Sequence, residues 1–115
     1  HRIRVDLVNY LSKAKYVERK LIVGFGAAAK GTVLLNYCGL ENLVDYVVDG
    51  TSYKQGKVIP RVNIPIYPES KLRVEPKGTI VLILAWNFKK EIMEKLKNRG
   101  FTFVIPIPKV EVIHG

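Results

Sequence analysis

The stretch LIVGFGAAAKG, residues 21–31, decides the fold. Its first three residues are branched and apolar, as in a buried strand, and the Gly-Phe-Gly that follows breaks that strand. The alanines and the lysine behind it are strong helix formers, so a helix is predicted over residues 27–37. A strand that turns through glycines into a helix is the beginning of a βαβ unit.

The rest of the chain continues this alternation. The segment TIVLILA, residues 79–85, is apolar without a period of two, so both of its faces should be covered, as in a parallel sheet. Apolar residues recur at helical spacing near the start of the chain and again after Asn87, whose side chain is a good helix N-cap. Helices are predicted over 3–18, 27–37 and 87–99. Strands are predicted over 21–23, 43–48, 79–85 and 101–107, with short ones at 110–113 and, at most as an edge, at 63–68.

We therefore expect an α/β fold in a single domain covering residues 1–115. Its predicted architecture is three-layer and Rossmann-like, with a mostly parallel sheet of about four or five strands and helices on both faces. With 115 residues, the chain is too short for a complete six-stranded dinucleotide-binding fold. A helical pattern already runs at Ile3, which suggests a piece cut from a longer gene product.

Composition narrows the function classes. The chain is 48% hydrophobic and 25% charged, with no apolar run of membrane-spanning length and no signal-peptide pattern, so a cytoplasmic protein without a membrane partner is expected. The net charge of +9 suits anionic partners or a solvated basic surface. In the densest basic stretch, residues 89–99, Glu91 and Glu94 interrupt the lysines and arginines, which argues against a nucleic-acid-binding module.

Candidates for catalysis are few. The single cysteine, Cys38, excludes an internal disulfide, and both histidines stand at the chain ends, away from any partner for a nucleophilic thiol. Asp45 and Asp49 lie on one predicted strand about 13 Å apart, too far to share a proton. We expect no catalytic residue and no metal site, and therefore a binding module.

The glycine turn is the candidate binding site. Gly24, Gly26 and Ala29 fit the pattern G-x-G-x-x-G/A, in which the glycines allow a tight turn and close approach of a phosphate. Ala29 would let the helix pack close to the strand, and Lys30 could add a charge beside the helix N-terminus. Asp49, at the end of the next strand, could accept hydrogen bonds from a ribose. A strand-to-helix turn without any ligand remains the alternative.

The opposite wall of the predicted crevice follows the strand over 79–85. If that strand neighbours the first one, Trp86 could stack on a ring and Asn87 could hydrogen-bond to the ligand. A packed core tryptophan and a plain N-cap asparagine are the structural alternatives. The loop over residues 53–55, which contains Lys54, could fold over the same crevice or remain solvated.

Several motifs, in this order, carry a family resemblance: GFGAAAKG, LLNYCG, DYVVD, YKQG, IPI and ILAWNFKKEI. Together they resemble the C-terminal domain of S-adenosylmethionine-dependent C-methyltransferases, including enzymes that methylate nucleotide-linked deoxysugars. The resemblance covers nearly the whole chain. The residues that match the motif are Gly24, Gly26, Ala27, Lys30, Asn36, Tyr37, Asp49, Lys54, Gln55, Gly56, Trp86 and Asn87.

The resemblance implies a third domain that follows a zinc-binding domain and an S-adenosylmethionine domain. It implies no cofactor bound by this domain, and an isolated domain that is inactive as an enzyme but holds a nucleotide diphosphate sugar against the methyltransfer domain. The substrate-binding residues expected from the resemblance and the crevice together are Gly24, Gly26, Ala27, Lys30, Asp49, Lys54, Trp86 and Asn87.

Some positions depart from the family pattern. Thr32 follows the KG where an asparagine is common, Gly50 replaces a basic residue, and Arg61 replaces a glycine. Substrate contacts are therefore least certain in the loop over residues 50–62. A free-standing nucleotide- or dinucleotide-binding sensor domain is the alternative function.

Overall fold

A computed structural model describes residues 2–27, 29–51, 55–59 and 61–115. Its helices are α1 (Arg2–Ser12), extended by a π-type turn (Lys13–Val17), α2 (Ala29–Cys38), α3 (Glu69–Arg73) and α4 (Lys89–Lys95). Its strands are β1 (Ile22–Phe25), β2 (Tyr46–Val48), β3 (Val58–Ile59), β4 (Ile64–Tyr67), β5 (Ile80–Ile83), β6 (Thr102–Ile105) and β7 (Glu111–His114).

The sheet corrects the predicted fold class. Within the described residues it is a mixed sheet of seven strands in the order β3-β4-β2-β1-β5-β6-β7. The edge strands β3 and β7 pair antiparallel with β4 and β6, while the pairs between them are parallel. The prediction of a Rossmann-like layer with a mostly parallel sheet of about four or five strands was therefore wrong, because both edges gain a short antiparallel strand and the helices are few and short.

The strand β4 shows why one edge was misjudged. Pro65 lacks a backbone N–H, so the sequence pattern allowed at most an edge strand here. The hydrogen bonds to the β3 side instead pass through Ile66, whose N–H donates to Lys57 O at 2.8 Å and whose carbonyl accepts from Gly56 N at 2.9 Å. The proline is therefore accommodated inside a strand that has neighbours on both sides.

The core lies on both faces of this sheet. On one face, α1 and α2 cover the strands with fully buried side chains such as Leu7, Leu11 and Leu35. On the other, α3 and α4 contribute Leu72, Ile92 and Leu96. The helix predicted over residues 3–18 is buried on one side as far as Ala14, whereas Val17, at the end of the π-type turn, is 71% exposed.

The parallel pairing of β1 with β5 positions the site. Gly24 lies opposite Leu82, and Phe25 opposite Ile83, so both strands end at the same edge of the sheet. The chain runs from β1 to β2 on one side and only later reaches β5 on the other, so strand order reverses between β1 and β5. Such reversals leave a crevice at the carboxyl ends of the strands.

Among the described residues, no helix is both long and apolar enough to cross a membrane.

Candidate functional site

A cleft of about 320 Å³ opens where β1, β2 and β5 end, and we call it the glycine-loop cleft. It has an apolar floor and a few charged groups at its edge. Its lining residues are Phe25, Gly26, Asp49, Gly50, Ala85, Phe88, Glu91, Ile92 and Lys95. A concave, mostly apolar site with a few polar groups is the usual form of a small-molecule site.

Gly26 holds one wall of this cleft close to β5. Its φ of +96° lies in the region that favours glycine, and a Cβ there would stand 2.8 Å from Ala85 Cβ. The glycine turn thus lies close to the end of the strand predicted over 79–85, as expected for neighbouring strands. The close contact is made by Ala85, however, and not by Trp86 or Asn87.

The two other glycines of the turn pack against one side chain. A Cβ on Gly24 would lie 2.8 Å from Leu84 Cδ1, and a Cβ on Gly31 would lie 2.7 Å from Leu84 Cβ. Gly31 of α2 therefore makes a close helix–strand contact. The contact predicted for Ala29 is untested, because its side chain lies outside the described part of the chain. The signal was present in the sequence, because Gly31 is a glycine inside a helix, where it costs stability without a packing reason.

Asp49 joins the end of β2 to the glycine turn. One carboxylate oxygen accepts a hydrogen bond of 2.7 Å from Ala27 N, and the other accepts one of 2.7 Å from Thr51 N. The side chain is buried, with 8% exposure, and its residue lines the glycine-loop cleft. These contacts tie the carboxylate to the glycine turn and to the backbone that follows β2.

The backbone N–H groups of the turn are partly committed. Gly26 N donates to Val48 O at 2.8 Å, and Ala27 N donates to Asp49. In a dinucleotide-binding turn such groups face the pyrophosphate. An anion at this turn would therefore depend on the first turn of α2 and on the exposed Lys30.

Lys30 and Trp86 line a different concavity. Together with Val33, Leu34 and Tyr37 they form an almost wholly apolar groove of about 350 Å³ between α2 and the turn that follows β5. We call it the Trp86 groove. It borders the glycine-loop cleft where Ala85, which lines the cleft, is followed by Trp86, which lines the groove.

Asn87 does not act as the predicted N-cap. It is exposed within a 3-10 turn, Trp86–Phe88, and the residue at the N-cap of α4 is Phe88. The N-cap therefore lies one residue later than predicted, and Phe88 is 59% exposed beside the cleft. Lys54 lies outside the described residues.

Lys95 and Glu69 close one end of the cleft. Lys95 Nζ lies 3.1 Å from Glu69 Oε1 and 5.6 Å from the centroid of the Phe25 ring. Lys95, the lysine among the described lining residues, is thus paired with a carboxylate outside the lining. Asp49 and Glu91 also line the cleft.

The described residues contain no cluster of three or more histidine, cysteine, aspartate or glutamate side chains that could hold a metal ion. The buried Cys38 is a weak nucleophile, because burial raises the pKa of its thiol, and the nearby Arg4 offsets that effect only in part.

Comparison with known proteins decides the family. Residues 1–108 match the family described as the C-methyltransferase C-terminal domain. The chain belongs to this C-methyltransferase family. The resemblance found in GFGAAAKG and the later motifs is thereby confirmed.

A curated relative shows the same relationship. The domain is 36% identical, over 117 residues, to "C-methyltransferase NovU" from Streptomyces niveus. The match covers 97% of this C-methyltransferase domain and 27% of that relative. The domain therefore spans about a quarter of the length of the curated relative that it matches.

Proposed function

We propose that this C-methyltransferase domain binds a nucleotide-linked sugar in the glycine-loop cleft and presents it for methyl transfer by other parts of a longer chain. The observation that carries the proposal is the cleft itself. It lies at the carboxyl ends of β1, β2 and β5, where strand order reverses, in a chain whose family is named for methyl transfer to carbon.

The side chains that line the cleft match different parts of a nucleotide-linked sugar. The rings of Phe25 and Phe88 and the Ile92 side chain offer apolar surface to a base or a sugar ring. The carboxylate of Glu91 accepts hydrogen bonds from sugar hydroxyl groups, while Asp49 holds the glycine turn beside them.

The diphosphate belongs outside the cleft floor. We place it near the first turn of α2, where the helix dipole favours an anion and where Lys30 adds a positive charge. Gly24 and Gly26 then act by allowing the turn and its approach to β5.

The methyl donor is proposed to bind elsewhere in the longer chain. S-adenosylmethionine and zinc, which the family resemblance implies, are assigned to the upstream domains. The isolated domain would then bind substrate without transferring a methyl group.

Binding by the isolated domain tests this proposal. The domain is titrated with a nucleoside diphosphate sugar, and backbone amide shifts are followed by NMR. We expect shifts at residues 24–31 and at Asp49, together with a change in the fluorescence of Trp86, the only tryptophan of the sequence.

A matched pair of variants locates the site. Phe88→Ala removes an exposed ring at the cleft and should weaken binding about tenfold, a typical loss for an aromatic contact. Val74→Ala alters a side chain that is 83% exposed at the end of α3 and should leave binding unchanged. Absence of shifts in the glycine turn at saturating ligand would refute the binding role and leave the family assignment intact.

A further inference from the structure

One surface of the domain is apolar and exposed without serving the glycine-loop cleft. Val33 is 67% exposed, Tyr37 57% and Val5 47%, and they lie on α2 and α1, on the same face of the sheet. We call this surface, together with Trp86, the α1–α2 patch. Contiguous exposed apolar surface of this kind marks an interaction site in soluble proteins.

Two concavities flank Tyr37 within the patch. On one side lies the Trp86 groove, and on the other a groove of about 370 Å³ between α1 and α2, lined by Arg4, Val5, Val8, Asn9 and Cys38. Tyr37 stands between them as a ridge, with the Arg4 guanidinium 5.9 Å from its ring centroid. An exposed ring between an apolar groove and a more polar one suits a protein surface better than a single small molecule.

The charged side chains that line the two grooves of the patch are positive. Arg4 and Lys30 lie at its edge, and no carboxylate occurs among the described residues that line either groove. The glycine-loop cleft differs, since Asp49 and Glu91 line it. The complementary surface is therefore apolar with carboxylates at its rim.

The position of the patch identifies its occupant. The domain spans 27% of the curated relative's length, and its family is named as the C-terminal part of the methyltransferase. Helix α1 is the first element, and its first turn carries Arg4 and Val5, so polypeptide that precedes α1 in a longer chain reaches the domain at this surface.

The α1–α2 patch lies beside the glycine-loop cleft. Ala85 and Phe88 line the glycine-loop cleft, whereas Trp86 lines the patch. A domain seated on the patch therefore borders the cleft directly. Methyl transfer requires this arrangement, because the reacting atoms of donor and acceptor must approach to about 3–3.5 Å.

We infer that the α1–α2 patch is the docking surface for the upstream methyltransferase domain of the same chain, through an apolar surface rimmed by carboxylates. The inference rests on the proposed function in one respect: that the domain acts within a longer chain.

The test uses the complete methyltransferase that carries this domain. Val33→Asp places a negative charge in the middle of the patch, and Val74→Asp, on the α3 side of the sheet, is the matched control. Three quantities are measured: the radius of gyration by small-angle scattering, the methyl-transfer kcat, and the affinity for a nucleoside diphosphate sugar by calorimetry.

For Val33→Asp we expect a larger radius of gyration and a kcat lowered about tenfold or more, the usual scale of a disrupted interface centre. Sugar-nucleotide affinity should change by a smaller factor than kcat, because Val33 does not line the glycine-loop cleft and only neighbours Lys30 on α2. Val33→Lys should lower kcat less than Val33→Asp, since a lysine is attracted to the carboxylates proposed at the rim of the partner surface. Val74→Asp should behave as the wild type in all three measurements.

The outcomes separate the two proposals. If Val33→Asp keeps the wild-type radius of gyration and kcat, the docking surface is overturned. A change from dimer to monomer would also overturn it, because the patch would then bind a second copy of the chain. A wild-type enzyme that binds no sugar nucleotide, yet loosens on Val33→Asp, would overturn the proposed substrate and leave the docking surface standing.

Discussion

The carboxylate of Asp49 accepts a hydrogen bond of 2.7 Å from the backbone N–H of Ala27, joining the end of β2 to the glycine turn behind β1. Its second oxygen accepts from Thr51 N at the same distance. Asp49 thus fixes the shape of the turn from within the fold, in addition to any contact it makes with a ligand. Stability and binding should therefore both depend on it.

Asp49→Asn should lower the free energy of unfolding by about 1–3 kcal/mol, because the amide has one acceptor oxygen and turns an NH₂ group towards a buried N–H donor. Urea unfolding measures the change. The control Asp6→Asn, whose partner Arg2 is 90% exposed, should change stability by less than about 0.5 kcal/mol. Equal stability of Asp49→Asn and the wild type would show that the hydrogen bonds of the Asp49 carboxylate do not stabilise the fold.

Gly31→Ala should destabilise the domain by about 1–3 kcal/mol. The added Cβ would stand 2.7 Å from Leu84 Cβ and 3.3 Å from Leu84 O, so α2 must move away from β5. This cost exceeds the gain of about 1 kcal/mol that alanine brings to a helix. Thermal unfolding compares it with Val33→Ala, an exposed position of the same helix, which should be close to neutral. A stabilised Gly31→Ala would contradict the tight packing of α2 on β5.

Tyr46 should make the domain sensitive to alkali. Burial raises the pKa of Tyr46 well above its usual range, and the 2.6 Å hydrogen bond to Glu75 adds to the effect. Its contribution to stability is complete below about pH 10 and is lost at higher pH, because the unfolded chain's tyrosine then ionises while the folded one keeps its proton. The free energy of unfolding should therefore fall more steeply above pH 10 in the wild type than in Tyr46→Phe.

The variant Glu75→Gln separates the two causes. It keeps Tyr46 buried, so most of the alkaline pH dependence should survive, measured by chemical unfolding between pH 9 and pH 11. Complete loss of that dependence in Glu75→Gln would show that the carboxylate, and not burial, dominates.

Cys38 should resist modification in the folded domain. The thiol is buried and its pKa is raised, so both access and the thiolate fraction are low near pH 8. We expect a chromogenic disulfide reagent to react about tenfold or more slowly with the native protein than with the protein in denaturant. Equal rates would place Cys38 at the surface.

The local pattern identified the central elements because each carries its own signal. Continuous apolar runs marked β1 and β5, and the glycines after β1 marked the turn, so the crevice between these strands could be located from the sequence. The edges carried weaker signals. The two residues of β3 fall inside a polar stretch, and β4 contains Pro65, so neither shows a strand period.

The arrangement of site residues depended on packing that no local pattern encodes. The contact at Gly31 depends on how α2 is set against Leu84, which is fixed by the packing of the helix on the sheet. Trp86 and Asn87 follow β5 as predicted, but the 3-10 turn there points the tryptophan to the Trp86 groove and leaves the asparagine exposed. The substrate contacts of Gly24, Ala27 and Lys30 stay predictions.

Leu84 is shared by two glycines, one in β1 and one in α2. The consequence reaches beyond a single protein, because mutations at these three positions are not independent. A methyl group gained at position 24 or 31 becomes tolerable once residue 84 has lost volume, and a larger residue 84 is excluded while either neighbour carries a side chain. In related domains, side-chain sizes at positions 24, 31 and 84 should therefore vary together. Sequences that carry only one of these changes should be rare.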